Sequence, residues 1–497
     1  MMWSNNGPSR FPNPTVLVGS AGVGVGIVTG LLAGINPLLL VLALGAGMVA
    51  VLVYCFASFE QIVLGMLILR SSLDIFSKQQ LPALFAIGLD ALTLLYVTVM
   101  LLTGRRVQTD KFWWLFAGWV GLQGLWVILL ALGGLGLDSS YISVSIREWV
   151  RLFSWLMVYL LIMQLKNRIP PEKIIHMLFL ALVLPLTLAL IQMIIPSVLP
   201  SILSPITNHS ATISGGTSRI RGTLGHPNTF VTFILLFIGL TYWKLSHSKQ
   251  RLLWLLLLGL LAFFFVSTKA LFGLMMLATF VLVLIAPRLS LVNLIGGLLF
   301  FALVIGLFAS SEFGQERLGS IANTPLLNPD IDIWRAILLS KVDHNSFNWR
   351  LDQWTYLLTQ WQHVPILGYG LGLSDHISTN GLLPHNDYVR SLVEGGLLGL
   401  GTFLAFLFAQ FVRLVQLLRY APAGSGQRDL CFILLATLMA IPVGMITENI
   451  WSHTNFFFYW YTLLAIAGWN WQRRPPSDST VVTSTVKQSR FSTRVGN

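Results

Sequence analysis

The chain has 497 residues, of which 55% are hydrophobic and only 10% charged. Soluble domains carry about 25% charged residues, so this composition excludes an ordinary soluble enzyme, a disordered chain and a fibrous repeat. The formal net charge of +12 does not indicate a nucleic-acid partner, because in such a chain the position of each cation between apolar runs says more than the sum.

Apolar runs of about 20 residues, enough for a helix to cross a bilayer core, recur along the sequence. They lie near 14–34, 36–58, 59–76, 83–103, 112–137, 144–165, 174–198, 226–245, 251–268, 270–287, 290–310, 388–412, 430–447 and 453–471. The third ends in Arg70-Ser-Ser-Leu-Asp74 and reads as a half-span. The expected fold is therefore all-α, a polytopic transmembrane helical bundle of about 12–14 spans. The first run follows a polar stretch with no small-residue cleavage site, so it reads as a retained span. Cys55 and Cys431 sit inside apolar runs, and no disulfide framework is implied.

Lysine and arginine favour the cytoplasmic side of a membrane protein. With the N-terminus inside and fourteen crossings, about 19 of the 31 lysines and arginines fall on the inner side. The expected domains are a cytoplasmic segment 1–13, a transmembrane bundle 14–310 with an outer loop 199–225, and a large outer helical loop 311–387. C-terminal spans 388–471 and a cytoplasmic tail 472–497, rich in Ser and Thr and disordered by composition, complete the chain. The other cations are Arg70, Lys78, Arg147, Arg151, Arg219, Arg221, Lys269, Arg317, Arg335, Lys341, Arg350 and Arg390. Insertion does not favour them on the outer side, so they predict a cationic outer vestibule, with snorkelling to lipid headgroups as the simpler account of any single one. Loop 311–387 is longer than a bundle connection requires; Ile333–Leu339 and Trp349–Trp361 have helical apolar spacing, which predicts a cap over that vestibule.

Four stretches carry chemistry. Arg219-Ile-Arg221-Gly-Thr-Leu-Gly-His226-Pro-Asn228 leads into a span, with Pro227 suited to its first turn. Two arginines beside a helix N-terminus suit an anion, above all phosphate. Arg147-Glu148-Trp-Val-Arg151 puts both arginines on one helix face, for a ligand or for pairing with neighbouring helices. Lys269, in Ser-Thr-Lys-Ala at a tight turn, faces a similar choice between substrate and headgroups. His385-Asn386 precedes a long span, and histidine is the side chain best suited to take a proton from a hydroxyl. A histidine that merely hydrogen-bonds the loop is the competing account. His209, His226, His363 and His385 are too scattered for a metal site, and there is no P-loop or dinucleotide fingerprint, so no metal or other cofactor is expected.

Taken together, Arg-Ile-Arg-Gly-Thr-Leu-Gly-His-Pro-Asn (219–228), Pro-Ile-Leu-Gly-Tyr-Gly (365–370), His-Asn-Asp-Tyr (385–388) and Glu-Gly-Gly-Leu-Leu-Gly-Leu (394–400) resemble the O-antigen ligase and O-antigen polymerase superfamily. The resemblance runs from about 205 to 410. It implies a bundle like the GT-C membrane glycosyltransferases that use polyprenyl-linked donors. It also implies transfer of a glycan from an undecaprenyl diphosphate carrier to an acceptor hydroxyl, at the periplasmic face of the bacterial inner membrane. By that resemblance Arg219, Arg221 and Arg350 hold the diphosphate and His385 activates a glycan or lipid-linked acceptor. Arg350 matches through its Arg-x-x-x-Trp pattern with Trp354. Where many members have Ser-Arg-Gly, this chain has Ser-Thr-Lys269-Ala, which keeps the charge but loses the bidentate fork. Arg147 and Asn386 complete the expected binding set, and membrane lipids surround it. The alternative function is a transporter for a small anion such as bicarbonate, drawn by the same vestibule. The large folded loop and the lack of an ionisable relay through the inner half of the bundle stand against it.

Overall fold

The computed structural model describes residues 56–207 and 218–471, apart from residue 289 and many positions between 313 and 345. The runs expected at 14–34 and, except for its last three residues, 36–58 lie outside the described residues, as do most of loop 311–345 and the tail from 472. The chain divides into a unit of residues 1–65 and one of residues 66–497. Of the first, the described part opens helix α1 (Phe59–Leu69). The functional geometry belongs to the second.

That unit is an all-α bundle. In chain order it holds α2 (Leu81–Leu102), α3 (Lys111–Ala131), α4 (Ile142–Met163), α5 (Pro171–Leu180), α6 (Val183–Ile194), α7 (Pro227–His247), α8 (Arg251–Ser267) and α9 (Leu271–Ile285). Then come α10 (Leu291–Ala309), α11 (Ser346–Trp361), α12 (Ser374–Ile377), α13 (Asp387–Tyr420), α14 (Gly426–Gly444) and α15 (Thr454–Ala467). The strands among the described residues are two-residue segments, β1 (Ile206–Thr207) and β2 (Ser218–Arg219), paired antiparallel with Ile206 opposite Arg219. Among the described residues seven helices are long and apolar enough to cross a membrane, and α8 and α9 are shorter apolar helices. The central one is α7, 72% buried over its apolar window, whereas α10 is only 11% buried.

The half-span expected at 59–76 is α1 followed by 3-10 turns at Arg70–Ser72 and Asp74–Gln79. The run at 174–198 is bent where α5 gives way to α6. Pro185 has no N–H to donate to the carbonyl four residues back. That carbonyl, of Ala181, instead accepts the Ser71 hydroxyl at 2.7 Å. The same logic acts on a larger scale in α13, which is broken at Gly396 (φ 64°). Inside a membrane protein the backbone groups freed by such a break must find partners within the protein. Here the carbonyls of Val393 and Glu394 accept the amides of Tyr369 (3.0 Å) and Gly370 (2.9 Å). The amides of Leu397 and Leu398 donate to Pro365 (2.9 Å) and Ile366 (3.3 Å). The two glycine-containing motifs, 365–370 and 394–400, are thus one interlocked structure. A Cβ at Gly396 would lie 2.2 Å from the Ile366 carbonyl oxygen, and one at Gly368 would lie 2.6 Å from that of Glu394, so neither position admits a side chain.

The core beside this break is aromatic. The rings of Trp119 and Phe406 stack at 4.2 Å between centroids. Trp451, in the connection between α14 and α15, packs against Trp119, Trp155, Phe403 and Phe457 at 4.9 to 5.8 Å. Such offset and edge-on contacts favour one ring orientation and so hold the connection in place.

Candidate functional site

The starts of α7, α13 and α15 and the ends of α8 and α14 gather at one end of the bundle. Asn386 caps α13, its side-chain oxygen accepting the amides of Tyr388 and Val389 at 3.0 Å each. The Asp387 amide donates to the Met445 carbonyl at 3.0 Å, tying this start to the end of α14. His385 lies one residue before the cap, with φ at 49°. A non-glycine residue in the left-handed region is strained and persists only where its surroundings hold it. Four non-glycine residues among those described have positive φ, and two of them are His385 and Lys269.

The group that holds His385 is Glu448. The imidazole Nδ1 lies 3.2 Å from Glu448 Oε1. A carboxylate only accepts, so Nδ1 carries a proton, and in the neutral imidazole the lone pair is on Nε2. The other oxygen, Oε2, accepts a short hydrogen bond from the Asn228 side-chain amide. Asn228 Oδ1 in turn accepts Arg219 Nη2 at 2.8 Å, and Arg219 Nε donates to the Thr268 carbonyl at 2.9 Å. Because arginine only donates, this chain fixes the amide orientation of Asn228. A relay therefore runs from Thr268, next to Lys269, through Arg219, Asn228 and Glu448 to His385. Burial opposes ionisation of Glu448, but the His385 hydrogen bond and the charges of His385, His453 and Arg350 outweigh it. The carboxyl titrates well below the usual carboxylate range.

Helix α11 supplies Arg350. Residues at i, i+3 and i+4 share a helix face, and here they are Arg350, Gln353 and Trp354. Gln353 donates to Ser378 Oγ (2.8 Å), Asn380 Oδ1 (3.0 Å) and the Leu382 carbonyl (2.7 Å). Trp354 Nε1 donates to the Pro384 carbonyl. This face thus grips the loop that delivers His385 and turns Arg350 toward Glu448, whose ionisation its charge favours. The Trp349 ring lies 5.9 Å from that of His385.

The remaining expected residues have other surroundings. Arg221 donates to three carbonyls, those of Ser204 (3.1 Å), Gly225 (2.9 Å) and Ile202 (2.9 Å), so its guanidinium ties residues 202–204 to the turn before α7. Arg147 is exposed on α4, outside the relay. The start of α7, expected to receive an anion, is occupied by the protein's own groups. His226 Nδ1 accepts the Asn228 amide at 3.1 Å, and the anion nearest that terminus is Glu448. Several cations of the expected vestibule are neutralised by carboxylates. Arg70 pairs with Asp74 at 2.6 Å, Arg151 pairs with Glu148, and Arg390 pairs with Glu148 and Glu394 at 2.9 Å each. Glu448 escaped the sequence reading because it stands alone in Ile446-Thr-Glu-Asn449, 63 positions from His385. The one signal was its position as a lone carboxylate at a span end. Among the described residues, no group of three or more His, Cys, Asp or Glu side chains is arranged to hold a metal ion.

Residues 253–404 match a family model described as O-antigen ligase. That stretch is similar to O-antigen ligases. Theirs is the superfamily that the motifs resemble, and the matched stretch holds Lys269, Arg350, His385 and Asn386 while Arg219, Arg221 and Glu448 lie outside it. No curated protein matches the chain. Over that stretch the chain is similar to the O-antigen ligase family, and its seven long apolar helices among the described residues fit a multi-pass membrane protein.

Proposed function

We propose that the chain transfers a glycan from an undecaprenyl diphosphate carrier to a sugar hydroxyl of a glycan or lipid-linked acceptor, at the periplasmic face of a bacterial inner membrane. The observation that carries this reading is the His385–Glu448 pair, linked through Asn228 to Arg219 and within the influence of the Arg350 charge. Diphosphate leaves readily only when its charge is offset, and preorganised cations do that at low cost in reorganisation. Arg350 and Lys269 are the groups for the diphosphate, with Arg219 both a cation and the anchor of the relay. Arg221 acts through the loop it braces.

In the transfer step the acceptor oxygen attacks the anomeric carbon and the carbon–oxygen bond to diphosphate breaks. The leaving group takes the electron pair, and the acceptor proton passes to His385 Nε2. Glu448 holds the imidazole through Nδ1 and offsets the positive charge it acquires. Direct attack from the face opposite the diphosphate inverts the anomeric centre.

Purified protein in nanodiscs, given an undecaprenyl-diphosphate oligosaccharide with and without a separate acceptor, tests the reading. Wild type is expected to form product, Glu448→Gln to form less, and His385→Ala to form almost none. A product ladder without added acceptor identifies a polymerase, and one discrete acceptor-dependent product identifies a ligase. A folded His385→Ala variant with full activity would remove His385 from the chemistry.

A further inference from the structure

At the end of the bundle opposite His385, helices α7 to α10 line an open apolar cavity of about 440 Å³. Its wall includes Tyr242 of α7, Leu258 of α8, Phe280 and Leu284 of α9, and Gly296 and Phe300 of α10. The volume lies in the range of small-molecule sites. Apolar walls left without neighbours forfeit their dispersion contacts, so the space suits an apolar occupant. Gly296 creates part of the space, since a Cβ there would meet nothing within 4 Å.

The cavity leads to charge. Leu245 lines both the cavity and a wide groove formed with Ser246, Arg251, Leu252 and Leu255. Arg251 opens α8 and is exposed, as is Lys249 two residues before it. An apolar slot beside interfacial cations is complementary to a lipid with an anionic headgroup. From Asn228 to Tyr242, α7 rises roughly 21 Å at 1.5 Å per residue. A carrier whose diphosphate sits beside Arg219 and Arg350, as proposed above, therefore cannot place that same charge at Arg251.

We propose that this is a binding site for an anionic phospholipid of the leaflet opposite the His385 end, with one acyl chain in the cavity and its phosphate at Arg251. The lipid would tie the loosely packed α10 to α7, α8 and α9.

The test is native mass spectrometry of the purified full chain in detergent, titrated with dioleoyl phosphatidylglycerol or dioleoyl phosphatidylcholine. Wild type is expected to hold phosphatidylglycerol roughly fivefold more tightly, the preference one interfacial cation confers. Arg251→Gln should erase the preference while leaving chain binding. Gly296→Phe, which fills the cavity, should weaken binding of both lipids, and Gly296→Leu does the same with less bulk if the larger ring disturbs the fold. Equal binding of the two lipids by wild type would overturn the proposal, as would unchanged phosphatidylglycerol binding in the folded variants. Displacement of phosphatidylglycerol by a polyprenyl phosphate would overturn it too, by assigning the cavity to the carrier's tail.

Discussion

Two polar clusters stand at the same end of the bundle, made of similar residue types, and they differ in what their charges already touch. In the first, Arg390 donates to Glu148, Glu394 and Ser452, and Arg151 pairs with Glu148. Glu394 also accepts the Gly372 amide and the Ser374 hydroxyl at 2.9 and 2.7 Å. Each arginine is matched by a carboxylate, and the cluster joins α4 to α13 and to the glycine motif. In the second, Glu448 orients a strained histidine, reaches Arg219 through Asn228 and feels the charge of Arg350. Charge in a membrane protein is costly in either place. The first cluster sets carboxylates against its arginines, whereas in the second a carboxylate is tied to a histidine, the arrangement of a general base.

If that contrast is right, substitutions should separate activity from stability. The largest effect is expected from His385→Ala, which should lower glycan transfer by about 10² to 10⁴, the usual contribution of a positioned general base, while the protein stays folded. Arg390→Ala should do the reverse, destabilising the fold by about 3–5 kcal/mol because the buried Glu394 loses its cation and Glu148 is left with Arg151 alone. Thermal unfolding in detergent measures this, and an Arg390→Ala protein that stays as stable as wild type while losing transfer would join the two clusters into one site.

Smaller effects sharpen the comparison. Arg221→Gln should cost about 1.5–3 kcal/mol through the lost bonds to loop carbonyls, with partial loss of transfer. Arg221→Lys keeps the charge but not the three-way brace, so full stability and activity in that variant would favour a point charge on the ligand instead. The smallest effect concerns pH. Burial pushes the His453 imidazole down from 6.5 to about 4, against the pull of Glu448. The unfolded chain then binds the proton first as pH falls, so this contribution to stability is complete above about 6.5 and declines toward pH 4. Unfolding temperatures at about pH 7.5 and pH 5 should differ, and less so in His453→Gln. Equal pH slopes in the two proteins would place the acid-sensitive group elsewhere.

Periodicity and length alone determined that this is a membrane bundle, because about 20 apolar residues in a helix satisfy their own backbone and match a bilayer core. Local signals also located the helix started by Pro227, whereas Asn386, expected in the binding set, caps α13. The motif order identified the superfamily and brought His385 and Arg350 forward as candidates. Residue type could not tell which cations are already engaged. Arg221 and Arg219 stand two positions apart in one motif, yet one braces a loop and the other anchors the relay. Glycines at 368 and 396 read as weak turn signals until the broken α13 showed that each sits against the other's backbone. Glu448 is the clearest case of what only tertiary structure decided. Helix α14 runs back to the end where α13 begins, and Trp451, packed by four rings, holds the connection that follows it. A hydrogen bond between residues 63 apart depends on that packing, and no local pattern of residues specifies it.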